Sequence, residues 1–201
     1  MKRALVLASL LVAGLATAPA ANAAPVMVGL EAFTFAKLYT FDELANNTLI
    51  GEQYAADGIH FSAGLVASDA LPPLGISLTN GDPAVPAGQD ITVRFAHASA
   101  VGFEIITQDS SKTQFIISAF LNGVLTGTGT FVVDTKFQRT FVGFADYTQG
   151  IDAIVINAFG EDGQHPDAPF LMNDMRVPEP ASMGLVGLGL VGAAIRRRRK
   201  A

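Results

Sequence analysis

Short apolar runs broken by turn residues recur through most of the chain, and only its two ends depart from that rhythm. The runs fall at 26–36, 58–67, 74–79, 90–97, 101–107, 113–121, 124–133, 137–144, 151–158 and 169–177. Phe, Ile, Val and Thr dominate them, the residue types that a pleated, half-buried surface favours. Polar and apolar positions alternate along Thr92-Val93-Arg94-Phe95 and again along Phe137-Gln138-Arg139-Thr140-Phe141, the period-two signature of a strand with one face in a core. Asn122-Gly123 lies between two such runs and predicts a two-residue hairpin, because both positions of that turn need positive φ. Pro72-Pro73, Asn80-Gly81-Asp82-Pro83, Pro86-Ala87-Gly88 and 160–169 read as loops. Asp42 to Asn47 is the single helical candidate, and it is short. About ten strands in about 150 residues predict an all-β domain, an antiparallel β-sandwich of jelly-roll-like kind.

The ends follow a different logic. Lys2 and Arg3 precede an apolar stretch from Ala4 to Ala18, then Pro19, and then Ala21-Asn22-Ala23, a small-x-small cleavage pattern. Residues 1–23 therefore predict a signal helix that directs the chain to the Sec translocon and is cleaved after Ala23. At the other end Pro178-Glu179-Pro180 is followed by the Gly-rich apolar stretch Ala181 to Ile195 and by Arg196-Arg197-Arg198-Arg199-Lys200. As a helix those apolar residues reach about 22 Å, short of a hydrocarbon core of about 30 Å. The basic cluster stops transfer and stays on the cytoplasmic side, so this transmembrane helix reads as a transient stop rather than a lasting anchor. The chain accordingly divides into a signal peptide at 1–23, a sandwich domain at 24–177 and a sorting segment at 178–201.

The order Pro178-Glu179-Pro180, apolar helix, arginine cluster resembles the PEP-CTERM sorting domain of Gram-negative bacteria that make extracellular polysaccharide, a tail also described as an ice-binding protein C-terminal domain. The resemblance implies an inner-membrane exosortase as partner, removal of the tail near Pro178 to Pro180, and release or attachment at the cell surface or matrix. Phe41-Asp42-Glu43, Tyr54 and Gly58-Ile59-His60-Phe61, with Gly150 to Ile156 and Phe170 to Val177, resemble the carbohydrate-binding-module-like sandwiches found with such tails.

Composition narrows what the middle can do. From Ala24 to Val177 there are 17 acidic residues against six basic ones, a net charge near −11. Such a body repels nucleic acid and anionic lipid, which sets nucleic-acid binding aside. Cysteine is absent, so disulfides, thiolate metal sites, a Cys nucleophile and a lipoprotein anchor are excluded. Fourteen Phe and no Trp suit a core of interdigitating rings.

Signatures of chemistry are few. The chain has no G-x-S-x-G elbow, no H-E-x-x-H and no glycine-rich phosphate loop. His60, His97 and His165 are isolated, and the first two read as half-buried strand residues. Gly160 to Asp167 gathers three carboxylates and His165 but lacks any known calcium spacing, so it reads as a solvated loop. Asp42 and Glu43 would meet Asn173 and Asp174 if the first and last strands lie side by side, and a structural Ca²⁺ there is the one cofactor the residues suggest. Thr126, Thr128 and Thr130 share one face of a strand, which reads as an ordinary solvent-facing strand. Sugar contact calls for exposed aromatic rings beside hydroxyl acceptors: Tyr39, Tyr54 and Tyr147 qualify by type, and Tyr147 with Asp146 is best placed. The reading is a non-catalytic exported protein, structural or associated with exopolysaccharide; the alternative is a secreted polysaccharide-active enzyme.

Overall fold

The computed structural model of the protein describes residues 25–69, 75–80, 90–107, 113–134, 137–159 and 170–178. The signal segment with Ala21 and Ala23, the loop 160–167, Glu179 and Pro180, the apolar stretch and the basic cluster Arg196 to Lys200 all lie outside the described residues.

Among the described residues twelve strands form two antiparallel sheets: β1 (Val26–Val28), β2 (Ala36–Tyr39), β3 (His60–Phe61), β4 (Val66–Ser68), β5 (Ser77–Thr79), β6 (Ile91–Ala98), β7 (Ala100–Thr107), β8 (Thr113–Leu121), β9 (Val124–Val133), β10 (Thr140–Ala145), β11 (Ile151–Phe159) and β12 (Phe170–Pro178). One sheet runs β1-β10-β7-β12-β5-β4, with β2 also paired to β12; the other runs β3-β6-β11-β8-β9. The all-β sandwich expected from the alternation is the fold observed.

Between the sheets lies one continuous core in which Phe103, Phe115, Phe144, Phe170, Ile105 and Ile117 are fully buried. Phe115 stacks on Phe131 across β8 and β9 and meets the edge of Phe170 from the opposite sheet. Tyr39, Phe41, Tyr54 and Phe61 form a second set of edge-to-face rings at one side of that core. Edge-to-face contact suits ring quadrupoles and adds to the area buried.

The run expected as one strand over 26–36 is two strands, split by a 3-10 turn at Leu30–Phe33. Phe33 causes the split: its ring is buried on the outer face of the seven-stranded sheet against Ala100, Ala145 and Phe141. The seat exists because Gly102 and Gly143, directly opposed across β7 and β10, carry no side chain there. A Cβ at Gly102 would stand 2.9 Å from Phe33 Cζ, and one at Gly143 would stand 2.8 Å from Phe33 Cε2.

The expected helix at Asp42 to Asn47 does not form. Phe41 and Asn47 both take left-handed backbone, with φ of 65° and 64°, which interrupts helical φ at each end. Isolated three-residue turns close between, Leu44 N–H to Phe41 O and Thr48 N–H to Ala45 O. Burial of Phe41 in the ring cluster outweighs the weak local helix propensity of so short a segment.

β12 organises the larger sheet. It pairs with β7 along one side; along the other it pairs first with β5 at Leu171 and Met172, then with β2 from Met175 to Pro178. The change of partner coincides with a register shift between Asn173 and Arg176 and with left-handed Asp174, φ 47°.

Candidate functional site

Two concavities among the described residues gather polar groups around them. The first is at one end, where the chain twice crosses between sheets. Ser99 links β6 to β7, and residues 146–150 link β10 to β11. Asp146 builds this end: its N–H donates to Ser99 O at 2.9 Å and its C=O accepts from Gly150 N–H at 3.0 Å. Its Oδ1 accepts from the N–H groups of Thr148 and Gln149, both at 2.9 Å, the local bonding that makes Asp a turn former. Its side chain is almost fully buried, and Oδ2 has no hydrogen-bond partner.

A buried carboxylate oxygen left without a donor carries a desolvation cost. Asp146 also lines a cavity of about 220 Å³, together with His97, Ser99, Tyr147, Thr148 and Gly150. Tyr147 stands 65% exposed beside it, with its ring free to stack. His97 is exposed at the end of β6, not half-buried as expected from its strand position. Its ring packs against Gly150, where φ is +77° and a Cβ would collide with the imidazole. Alternation alone missed His97 because it lies where β6 runs out, two residues before the crossing at Ser99. Tyr39 and Tyr54 do not join Tyr147: they are core residues at 7% and 5% exposure, held in the aromatic cluster.

The second concavity, about 430 Å³, opens on the outer face of the five-stranded sheet and is lined by Thr92, Arg94, Phe120, Gly123, Asp152 and Val155 among others.

The four residues considered for calcium are engaged separately. Asp42 Oδ1 accepts from Ile76 N–H at 2.9 Å, and Glu43 Oε1 accepts from the Tyr54 hydroxyl at 2.7 Å. Asp174 Oδ2 lies 3.6 Å from Arg139 and 3.7 Å from Arg176, while Asn173 is buried opposite Glu104 on β7. Last and early strands do lie side by side, through β2 rather than β1. Among the described residues no group of three His, Asp or Glu side chains is placed to hold a metal ion. The Tyr54 phenol is pushed up from its ordinary range, first by burial and then by its bond to Glu43. An exposed ion pair to Asp57 raises Lys37.

Thr128 and Thr130 face solvent on β9, and the alternating glycines explain the pattern. A Cβ at Gly127 would stand 2.7 Å from Pro25 Cδ, and one at Gly129 2.6 Å from Met27 Sδ and 2.7 Å from Phe144 Cε2. Glycine lets β9 close onto the opposite sheet; the threonines fill the wet face between.

Residues 176–199 match the PEP-CTERM protein-sorting motif. The chain therefore carries a protein-sorting signal, and that signal begins inside β12, whose last three residues are Arg176, Val177 and Pro178. No curated protein matches the chain. Among solved structures it is similar in fold to CBM29_1, a family 29 carbohydrate binding module from Piromyces equi, at 13% identity and a TM-score of 0.40, over 71% of this chain and 91% of that one. A mutant of the CBM29-2 module is similar at 8% identity and a TM-score of 0.40, over 71% and 90%. The enzymatically active domain of bacteriophage CBA120 tailspike protein 4 is similar at 11% identity and a TM-score of 0.40, over 66% of this chain but only 21% of that one. These likenesses are of β-sandwich architecture. No described helix is long and apolar enough to cross a membrane, and the apolar stretch Ala181 to Ile195 is outside the described residues.

Proposed function

We propose that the protein is exported through the Sec translocon, held briefly in the inner membrane by its C-terminal segment, and processed by an exosortase for the cell surface or matrix. There its sandwich domain contacts exopolysaccharide without catalysing a reaction. The sorting motif at 176–199 supports the first half. One observation supports the second: Asp146, whose Oδ2 has no hydrogen-bond partner, lines a cavity beside the exposed ring of Tyr147. A carboxylate oxygen accepts from sugar hydroxyls, and an aromatic face stacks on the C–H face of the ring; together they orient a saccharide. Non-catalytic contact is favoured over hydrolysis because each of these two concavities has a single carboxylate among its described lining residues, whereas glycoside hydrolysis ordinarily uses a facing pair.

The test is a pull-down of the mature protein on the native exopolysaccharide, with and without calcium. The unaltered protein is retained, and Tyr147→Ala is washed off. Equal retention of both, or of neither, removes the end pocket as the contact. Calcium-dependent retention would instead point to a bound cation in the contact.

A further inference from the structure

The groove on the five-stranded sheet follows from register. Strand pairing sets His60, Arg94, Ala153, Phe120 in a row across β3, β6, β11 and β8. The next row is Thr92, Val155, Ser118, Thr128. Ala153 is the small member between two long side chains, and the hollow of about 430 Å³ opens around it. That volume lies within the range of small-molecule sites, about 300–1,000 Å³. A register shift between Ile151 and Ala153 brings Asp152 to the rim, where its Oδ2 accepts from Asn122 N–H at 2.8 Å and ties down the hairpin tip.

Charge distinguishes this groove from the rest of the acidic surface. Lys37 pairs with Asp57, Arg139 with Glu104, and Arg176 with Asp174. Arg94 is the one Lys or Arg among the described residues without an ion-pair or hydrogen-bond partner there, and it is exposed. The nearest basic neighbour on its own row, His60, is already bonded to Glu52 at 2.7 Å. An unpaired guanidinium beside a half-exposed phenyl ring offers a two-pronged donor and a stacking face.

We infer that this groove binds a carboxylated sugar unit, its carboxylate on Arg94, its ring against Phe120, and its hydroxyls toward Thr92 and Asp152. Asp152 sets the orientation: it repels a carboxylate at its own end and accepts hydroxyls instead. The inference deepens the polysaccharide reading by naming a substrate class, but it uses a site separate from Asp146 and Tyr147.

Calorimetric titration of the mature protein with trigalacturonate, and with the same trimer as its neutral methyl ester, tests it. The acid trimer binds at least about ten-fold more tightly than the ester. Arg94→Gln abolishes that preference, and Arg94→Lys restores part of it. Tyr147→Ala leaves the preference intact. Equal affinity for acid and ester, persistence of the preference in Arg94→Gln, its loss in Tyr147→Ala, or no binding of the acid trimer each overturns the assignment. Loss of retention on native exopolysaccharide by Tyr147→Ala would still stand in every one of these cases, so the two readings fail separately.

Discussion

Tyr54 shows how one side chain joins packing to charge. Its ring meets Tyr39, Phe41 and Phe61 edge-on, and its hydroxyl donates to Glu43. Tyr54→Phe keeps the rings and removes one bond to a carboxylate, so at pH 8 it costs about 1–2 kcal/mol. The folded protein holds the Tyr54 proton more tightly than the unfolded chain does, because burial disfavours the phenolate and the Glu43 carboxylate accepts the hydroxyl's hydrogen bond. The hydroxyl's contribution is therefore complete below the ordinary phenol value of about 10 and fades as pH rises past it. The stability gap between the native protein and Tyr54→Phe, read from urea midpoints, narrows from pH 9 toward pH 11; a constant gap contradicts the assignment. Asp146 makes a second residue-scale case. Asp146→Asn keeps an oxygen for the Thr148 and Gln149 N–H groups and leaves the turn in place, while replacing the free acceptor with a donor. Stability then changes little and retention on exopolysaccharide falls, whereas Asp146→Ala loses both, with a stability loss of about 1–3 kcal/mol. Unchanged retention in Asp146→Asn would show that Oδ2 has no part in the contact.

Among the elements, β9 carries the sharpest contrast between one position and the next. Gly129→Ala puts a methyl against the fully buried Phe144 ring and the Met27 side chain, so β9 must shift or the ring must turn, at about 1–3 kcal/mol. Thr128→Ala, one residue away on the wet face, stays within about 0.5 kcal/mol. Chemical denaturation of the two variants decides it, and similar losses at both would refute the inward orientation of the glycines. Strand positions were legible wherever alternation was strong. The 113–121 and 124–133 runs became β8 and β9 unchanged, and Asn122 and Gly123 adopt the positive φ that the hairpin between them requires. Less legible were features set by distant partners. The break at Leu30–Phe33 depends on a glycine pair some seventy and more residues onward, and Phe41 leaves helical φ to join rings from two other segments. The end pocket was half legible. Asp146-Tyr147 announces a polar turn with an exposed ring, but His97 arrives through a crossing between sheets that no local pattern encodes. Arg94 was visible only as the polar member of an alternating strand; its lack of a partner is a property of the assembled surface.

At the scale of the whole molecule, the position of the sorting motif on the fold sets a geometric constraint. Pro178 is still in β12, paired with Ala36, and only Glu179 and Pro180 separate it from the apolar stretch beginning at Ala181. Three residue steps reach about 10 Å even when fully extended. On the sorting reading, this edge of the sandwich is therefore drawn against the bilayer until the tail is cut. The residue just before Ala36 is Phe35, 91% exposed, with Leu30 and Leu38 also exposed around it. Exposed apolar side chains held at that height enter the headgroup boundary, where burial is favourable. Phe137 is a natural control: its N–H bonds Thr107, which pairs with Phe170 at the opposite end of β12, and its ring is 53% exposed. Because the chain has no cysteine, Phe35→Cys and Phe137→Cys each carry a unique thiol. Exported full-length in a host that lacks the processing enzyme, Phe35→Cys reacts with a membrane-impermeant maleimide roughly five-fold more slowly than Phe137→Cys in spheroplasts, and at a matching rate once detergent is added. Matching rates in intact spheroplasts would show that the edge stands clear of the membrane. Recovery of the uncut chain in the soluble fraction would remove the membrane-held intermediate itself.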